Sequence, residues 1–243
     1  MKTGLTSITF RQLDWLEVIC VANDCGLDGI EWGGDVHAPP GNEVLACKIA
    51  RATKEAGLSV LSYGSYYRLG AGEPFEPVLA TAKTLGAKII RVWAGTKASA
   101  QYTAQERQLA VEDARRIADL AREEGIMVAL EYHRDTLTDN AESAVDLLKT
   151  AGNIKTYWQP NPELSHEKNC AELKAMLPWL TYLHVFHWSH DGTRLPLENG
   201  MAEWQDYMQM ANNHAGAAVL EFVRGNDPVQ CARDAVVLRS LCQ

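Results

Sequence analysis

The strongest constraint on this chain is an eightfold alternation of short apolar runs and longer amphipathic runs. "GLTSITF" reads as a first strand, and "RQLDWLEVICVANDCG" as a helix stopped by Gly26. "LDGIEWGG", "LSVLSYGS", "AKIIRVWAG", "IMVALEYH", "IKTYWQP", "TYLHVFHW" and "AAVLEFV" read as seven more strands, each followed by a helical pattern. The helix before "LSVLSYGS" is stopped by Gly57, and the longest helix opens with Thr103 and Glu106 at the spacing of a capping box. The strand ends Glu31, Ser62 and Trp93 are each 31 residues apart (62−31 and 93−62). Strands alternating with helices imply a parallel sheet, and eight such units in 243 residues imply closure into a (β/α)8 TIM barrel of the α/β class. The competing doubly wound sheet would usually show a glycine-rich first turn, which "TFRQLD" lacks. No linker or shift of composition breaks the pattern, so residues 1–243 are expected to form one domain.

Composition excludes several partners. The net charge of -8 repels phosphate backbones and anionic bilayers, so neither nucleic acid nor membrane is expected. The six cysteines form no C-x-x-C pair. With no signal-peptide pattern and no long apolar run, a cytoplasmic location with reduced thiols is expected. Whether the chain forms a homo-oligomer is left open by the sequence.

In a β/α barrel the chemistry sits at the C-terminal ends of the strands. There the sequence places Glu31 and Trp32, Ser62 and Tyr63, Arg91 and Trp93, Glu131 to Arg134, Trp158 and Gln159, His184 and His187, and Glu221. Glu131 and Glu221 follow the apolar runs "MVAL" and "AAVL" at matching points. A buried charge costs several kcal/mol unless it is paired or coordinated. A lone strand-end histidine is more often a hydrogen-bonded core residue, and a lone glutamate a partner of the next helix. Glu131, His184 and Glu221 converging on one mouth would instead suit a divalent cation. His184 would then face the mouth as a neutral imidazole. His187 has the opposite parity, and its bland reading is outward packing. His37 is divided between surface loop and substrate contact. Trp32, Trp93, Trp158 and Trp188 sit where a sugar face could stack. His133, His187 and Arg194 could orient hydroxyls or a phosphate, and "SHDGTRLPLENG" could form a partial lid.

"GLDGIEW", "VALEYH", "YLHVFHW" and "AVLEFV", in this order, make the chain resemble the xylose-isomerase-like TIM-barrel superfamily, which includes sugar phosphate isomerases and epimerases. The resemblance covers essentially the whole chain. In metal-dependent members a cation (manganese, magnesium, cobalt or zinc) is held by Glu, Asp, His and Glu after strands five to eight. By motif the ligands here would be Glu131, Gln159, His184 and Glu221. Gln159 replaces the family's Asp, so the site offers two carboxylates instead of three, and weak or absent metal is expected. The resemblance implies an isomerase or epimerase acting on a sugar or sugar phosphate. Glu131 and Glu221 would remove and return a proton through a cis-enediolate. A lyase of the inosose-dehydratase type and a metal-free, non-catalytic sugar-binding relative are the alternatives.

Overall fold

The computed structural model describes all 243 residues. Eight parallel strands close a barrel in the order β1 (Lys2–Thr6), β2 (Gly29–Gly33), β3 (Ser59–Arg68), β4 (Ile89–Trp93), β5 (Met127–Glu131), β6 (Lys155–Trp158), β7 (Leu180–Val185) and β10 (Ala217–Leu220). The remaining strands, β8 (His187–Trp188) and β9 (Arg194–Leu195), form an antiparallel hairpin between β7 and β10. The helices are α1 (Trp15–Asp24), α2 (Glu43–Glu55), α3 (Glu76–Leu85), α4 (Ala104–Glu123), α5 (Ala141–Ala151), α6 (His166–Met176), α7 (Met201–Ala211) and α8 (Pro228–Leu241). This is the TIM barrel that the alternation implies. No helix is long and apolar enough to cross a membrane.

Local sequence sets the element ends. Thr103 and Glu106 do form a capping box at α4, and Asp14 and Glu17 form a second one at α1. Each box satisfies backbone donors that a helix start leaves unpaired. Gly26 and Gly57 end α1 and α2 at φ +63° and +79°, a backbone region that strains other residues.

Two expected strands differ. The first ends at Thr6, and Ser7–Phe10 forms a 3-10 turn that carries the chain across the barrel rim. The seventh ends at Val185, and His187–Trp188 leaves the barrel to pair with Arg194–Leu195. The segment expected as a partial lid forms a short hairpin, followed by a 3-10 turn over Leu197–Gly200.

The pleat divides the barrel into two cores. Outward-facing residues such as Ile30, Val92, Leu130, Leu183 and Val185 join the large apolar cluster shared with the helices. Inward-facing Leu61, Ile89, Ala129, Tyr157, Ala217 and Val219 fill the barrel around Tyr182. Tyr182 donates from its hydroxyl to Leu61 O at 3.1 Å. Two residues further along β4, β5, β7 and β10, the inward positions become Arg91, Glu131, His184 and Glu221. The strand that packs the floor thus also aims the chemistry.

Candidate active site

Five ionisable side chains share the upper interior of the barrel: Glu31, Arg91, Glu131, His184 and Glu221 are at most 4% exposed. Gln159, just beyond the end of β6, joins them at 8%. Arg91 organises one half of the group. Its Nε donates to Glu31 Oε1 at 3.1 Å and its other arm forms a short ion pair with Glu131 Oε2. Gly64 leaves room for this arm, since a Cβ there would lie 2.6 Å from an Arg91 terminal nitrogen. Ser62 donates to the second oxygen of Glu31 at 2.7 Å.

His184 joins the halves. Its Nε2 donates to Glu31 Oε1 at 3.2 Å. Its Nδ1 faces three acceptors: Gln159 Oε1 at 3.3 Å, Glu221 Oε2 at 3.5 Å and Glu131 Oε1 at 3.8 Å. One ligand atom each from Glu131, His184 and Glu221 lies within 4.8 Å of the others, so this group could hold a metal ion. The residue types fit a divalent cation: two carboxylates and an imidazole converge, and the Gln159 amide oxygen lies 3.3 Å from the imidazole Nδ1.

The electrostatics of two of the buried carboxylates, Glu221 and Glu31, differ in origin. Burial pushes the pKa of Glu221 up, and the neighbouring Glu131 adds to this against the opposing pull of His184. For Glu31, burial acts upward as well, but Arg91 and His184 outweigh it and hold the carboxylate below the usual range. Burial alone would lower His184; Glu221 and Glu31 instead push it up to about 9. Without a cation these carboxylates favour the protonated imidazole; the neutral ring expected from sequence is that of a metal ligand.

Above the cluster opens a cavity of about 330 Å³, lined among others by His133, Gln159, Phe186, Trp188, Glu221 and Phe222. His133 packs against Trp93, with ring centroids 4.7 Å apart, and Trp93 also stacks with Tyr66. Arg194 lies over the rings of Phe222 at 4.7 Å and Trp188 at 5.6 Å, and donates to Asn226 Oδ1 at 2.7 Å. Phe222 adopts φ +50°, an uncommon and strained backbone for an aromatic residue, immediately after Glu221.

Four expected substrate contacts lie elsewhere. Trp32 and Trp158 are fully buried in the outer core, because each adjoins an inward-facing neighbour, Glu31 or Gln159, and the pleat sends it the opposite way. Trp158 packs edge-on to Tyr207 of α7. His37 is buried with both ring nitrogens engaged, by Ser7 Oγ at 3.0 Å and Leu13 O at 3.1 Å. His187 turns outward against Gly200 and stands 3.9 Å from Glu203 of α7.

Residues 20–241 match the family described as xylose isomerase-like TIM barrel. The chain belongs to this family. Within it, the chain is similar to 3-dehydroshikimate dehydratase of Bacillus anthracis, with 25% identity over 93% of this chain and 92% of the relative. The crystal structure of a probable 3-DHS dehydratase from the same organism superimposes with a TM-score of 0.83 at 24% identity, covering 98% and 99% of the two chains. D-psicose 3-epimerase of Clostridium cellulolyticum H10, solved with D-tagatose, gives 0.73 at 16% identity over 100% and 98%. Characterised proteins of the family that resemble this chain are enzymes, and they include both a dehydratase and epimerases.

Glu31 and Arg91 are the cluster members whose part was not read from sequence. The signal was present: each interrupts an apolar strand, "GIEWG" and "IIRVW", in the same way as Glu131 and Glu221.

Proposed function

We propose that the chain is a lyase of the dehydratase type, acting on a small cyclic hydroxy-ketone with Glu221 as the proton-transferring group. The observation that carries this reading is the inequality of the two carboxylates. Both line the cavity, but Glu131 is tied to Arg91, whereas Glu221 has no arginine partner. Elimination of water can proceed with one such group. Glu221 takes a proton from the carbon next to the carbonyl, and the electron pair moves to the carbonyl oxygen. The pair returns to form the C=C bond as the C–O bond to the neighbouring hydroxyl breaks. Glu221 gives its proton to the departing oxygen, which leaves as water. A divalent cation such as manganese or magnesium, held by Glu131, Gln159, His184 and Glu221, would polarise the carbonyl and acidify the adjacent C–H. The walls formed by His133, Phe186, Trp188 and Phe222 suit the flat faces of a ring. The likeness to a dehydratase over nearly the full chain supports the same class.

A second reading is an isomerase or epimerase working through a cis-enediolate. Glu131 and Glu221 both line the cavity, as two-group proton transfer requires. One experiment separates the two readings: manganese and either 3-dehydroshikimate or a panel of ketoses, in heavy water, followed by mass spectrometry. The lyase should yield a product lighter by one water. Deuterium in a recovered or epimerised ketose, without loss of water, would sink the lyase reading in favour of the second. No conversion of any substrate would leave the non-catalytic relative.

A further inference from the structure

Glu31 is a buried carboxylate that the proton transfers above do not use. Every contact it makes is directional. Oε2 accepts from Ser62 at 2.7 Å, and Oε1 accepts from Arg91 Nε at 3.1 Å and from His184 Nε2 at 3.2 Å. It reaches His184 from β2, 153 residues away in sequence and across the barrel interior. We propose that Glu31 is a positioning residue that fixes the His184 ring, so that Nδ1 is free to ligate a divalent cation, and that it supplies the negative charge missing at Gln159.

This inference rests on the metal-dependent reading of the site. A histidine ligand commonly donates its other N–H to a carboxylate or carbonyl, which sets the tautomer and the ring orientation. Here the Nε2 proton goes to Glu31, and Nδ1 is left facing Gln159, Glu221 and Glu131. Charge makes the second half of the case. With a cation bound and His184 neutral, Glu31, Glu131 and Glu221 would carry three negative charges, and Arg91 would cancel one. The two that remain match a divalent cation, although Gln159 contributes none. Ser62 and Arg91 hold the Glu31 carboxylate from both sides, and the Gly64 backbone packs close against it: a Cβ there would lie 3.0 Å from Glu31 Oε1.

The test is calorimetric titration of the full chain with manganese, beside long-range proton–nitrogen NMR of the zinc-loaded protein labelled at histidine. Glu31→Gln should weaken manganese binding by roughly 10- to 100-fold, the range set by loss of a ligand-orienting partner. Adding Gln159→Asp to that variant should recover most of the affinity, by returning the charge. In the zinc-loaded parent the His184 proton should reside on Nε2. Ser62→Ala, a gentler change in case Glu31→Gln folds poorly, should weaken binding several-fold in the same direction. The proposal is overturned by a parent chain that binds no manganese, by Glu31→Gln and Ser62→Ala binding within twofold of the parent, or by a His184 proton on Nδ1. A parent that binds manganese in a Glu31-dependent way yet dehydrates nothing would remove the lyase reading and leave this one standing.

Discussion

The two halves of the barrel mouth solve the same problem in opposite ways. On the β2–β4–β5 side, two carboxylates are buried and an arginine is buried between them, so charge is balanced locally. On the β10 side, Glu221 is equally buried but has only the shared imidazole beside it, and the residue after it, Phe222, is strained. A buried charge without a partner is costly, and such cost is retained where the group has work to do. The paired half reads as scaffold and the unpaired half as the reactive group.

The largest effect should come from breaking the unpaired half. Glu221→Gln keeps the shape and an oxygen but removes the base, so turnover should fall by about 10²- to 10⁴-fold. Substrate binding, measured separately, should stay within a few-fold. Glu131→Gln should act mainly on metal affinity and thermal stability. Equal kinetic losses in the two variants, at equal stability, would abolish the distinction and restore a two-carboxylate mechanism.

Breaking the paired half should show in stability before activity. Arg91→Met leaves Glu31 and Glu131 buried without compensation, a change of roughly 3–5 kcal/mol for loss of one partner of a buried pair. For a chain of this size that corresponds to a melting point lower by roughly 6–20 °C in calorimetry. A shift of under 2 °C would show that the ion pairs do not hold this side of the mouth.

The smallest effect sharpens the comparison through pH. His184 has its folded pKa raised to about 9 from the ordinary 6.5, so its protonated form stabilises the metal-free fold. That contribution is complete below pH 6.5 and is lost as pH rises through 9. It amounts to roughly 3 kcal/mol at most, from the size of the shift. Urea midpoints in the presence of a chelator should therefore decline over this window, and the decline should vanish in His184→Gln. Saturating manganese should reverse the trend, because metal and proton compete for Nδ1. A midpoint that is flat from pH 6.5 to 9 in the chelated parent would remove the assignment of this proton to His184.

Much of this was legible along the chain. The period-2 pattern within each strand and the repeat of strand and helix are local properties, and they carried the barrel and the inward positions of Glu131, His184 and Glu221. The same alternation, applied strictly, also excludes Trp32 and Trp158 from the mouth, since each adjoins an inward residue. His187 and His37 were less accessible to such reasoning. The first depends on where β7 stops and the hairpin begins, and the second on a 3-10 turn that brings Ser7 beneath the loop.

Sequence by itself determined which residues face the barrel interior, because side-chain direction in a strand follows from the pleat alone. Tertiary structure decided which of them meet. Glu31 finds Arg91 60 residues away and His184 153 residues away only because the sheet closes on itself and its interior is narrow. The raised pKa of His184, the pairing of Glu131 with Arg91 and the lack of an arginine partner at Glu221 all follow from those encounters, since charge in a buried site is governed by the nearest partners and not by position in the chain.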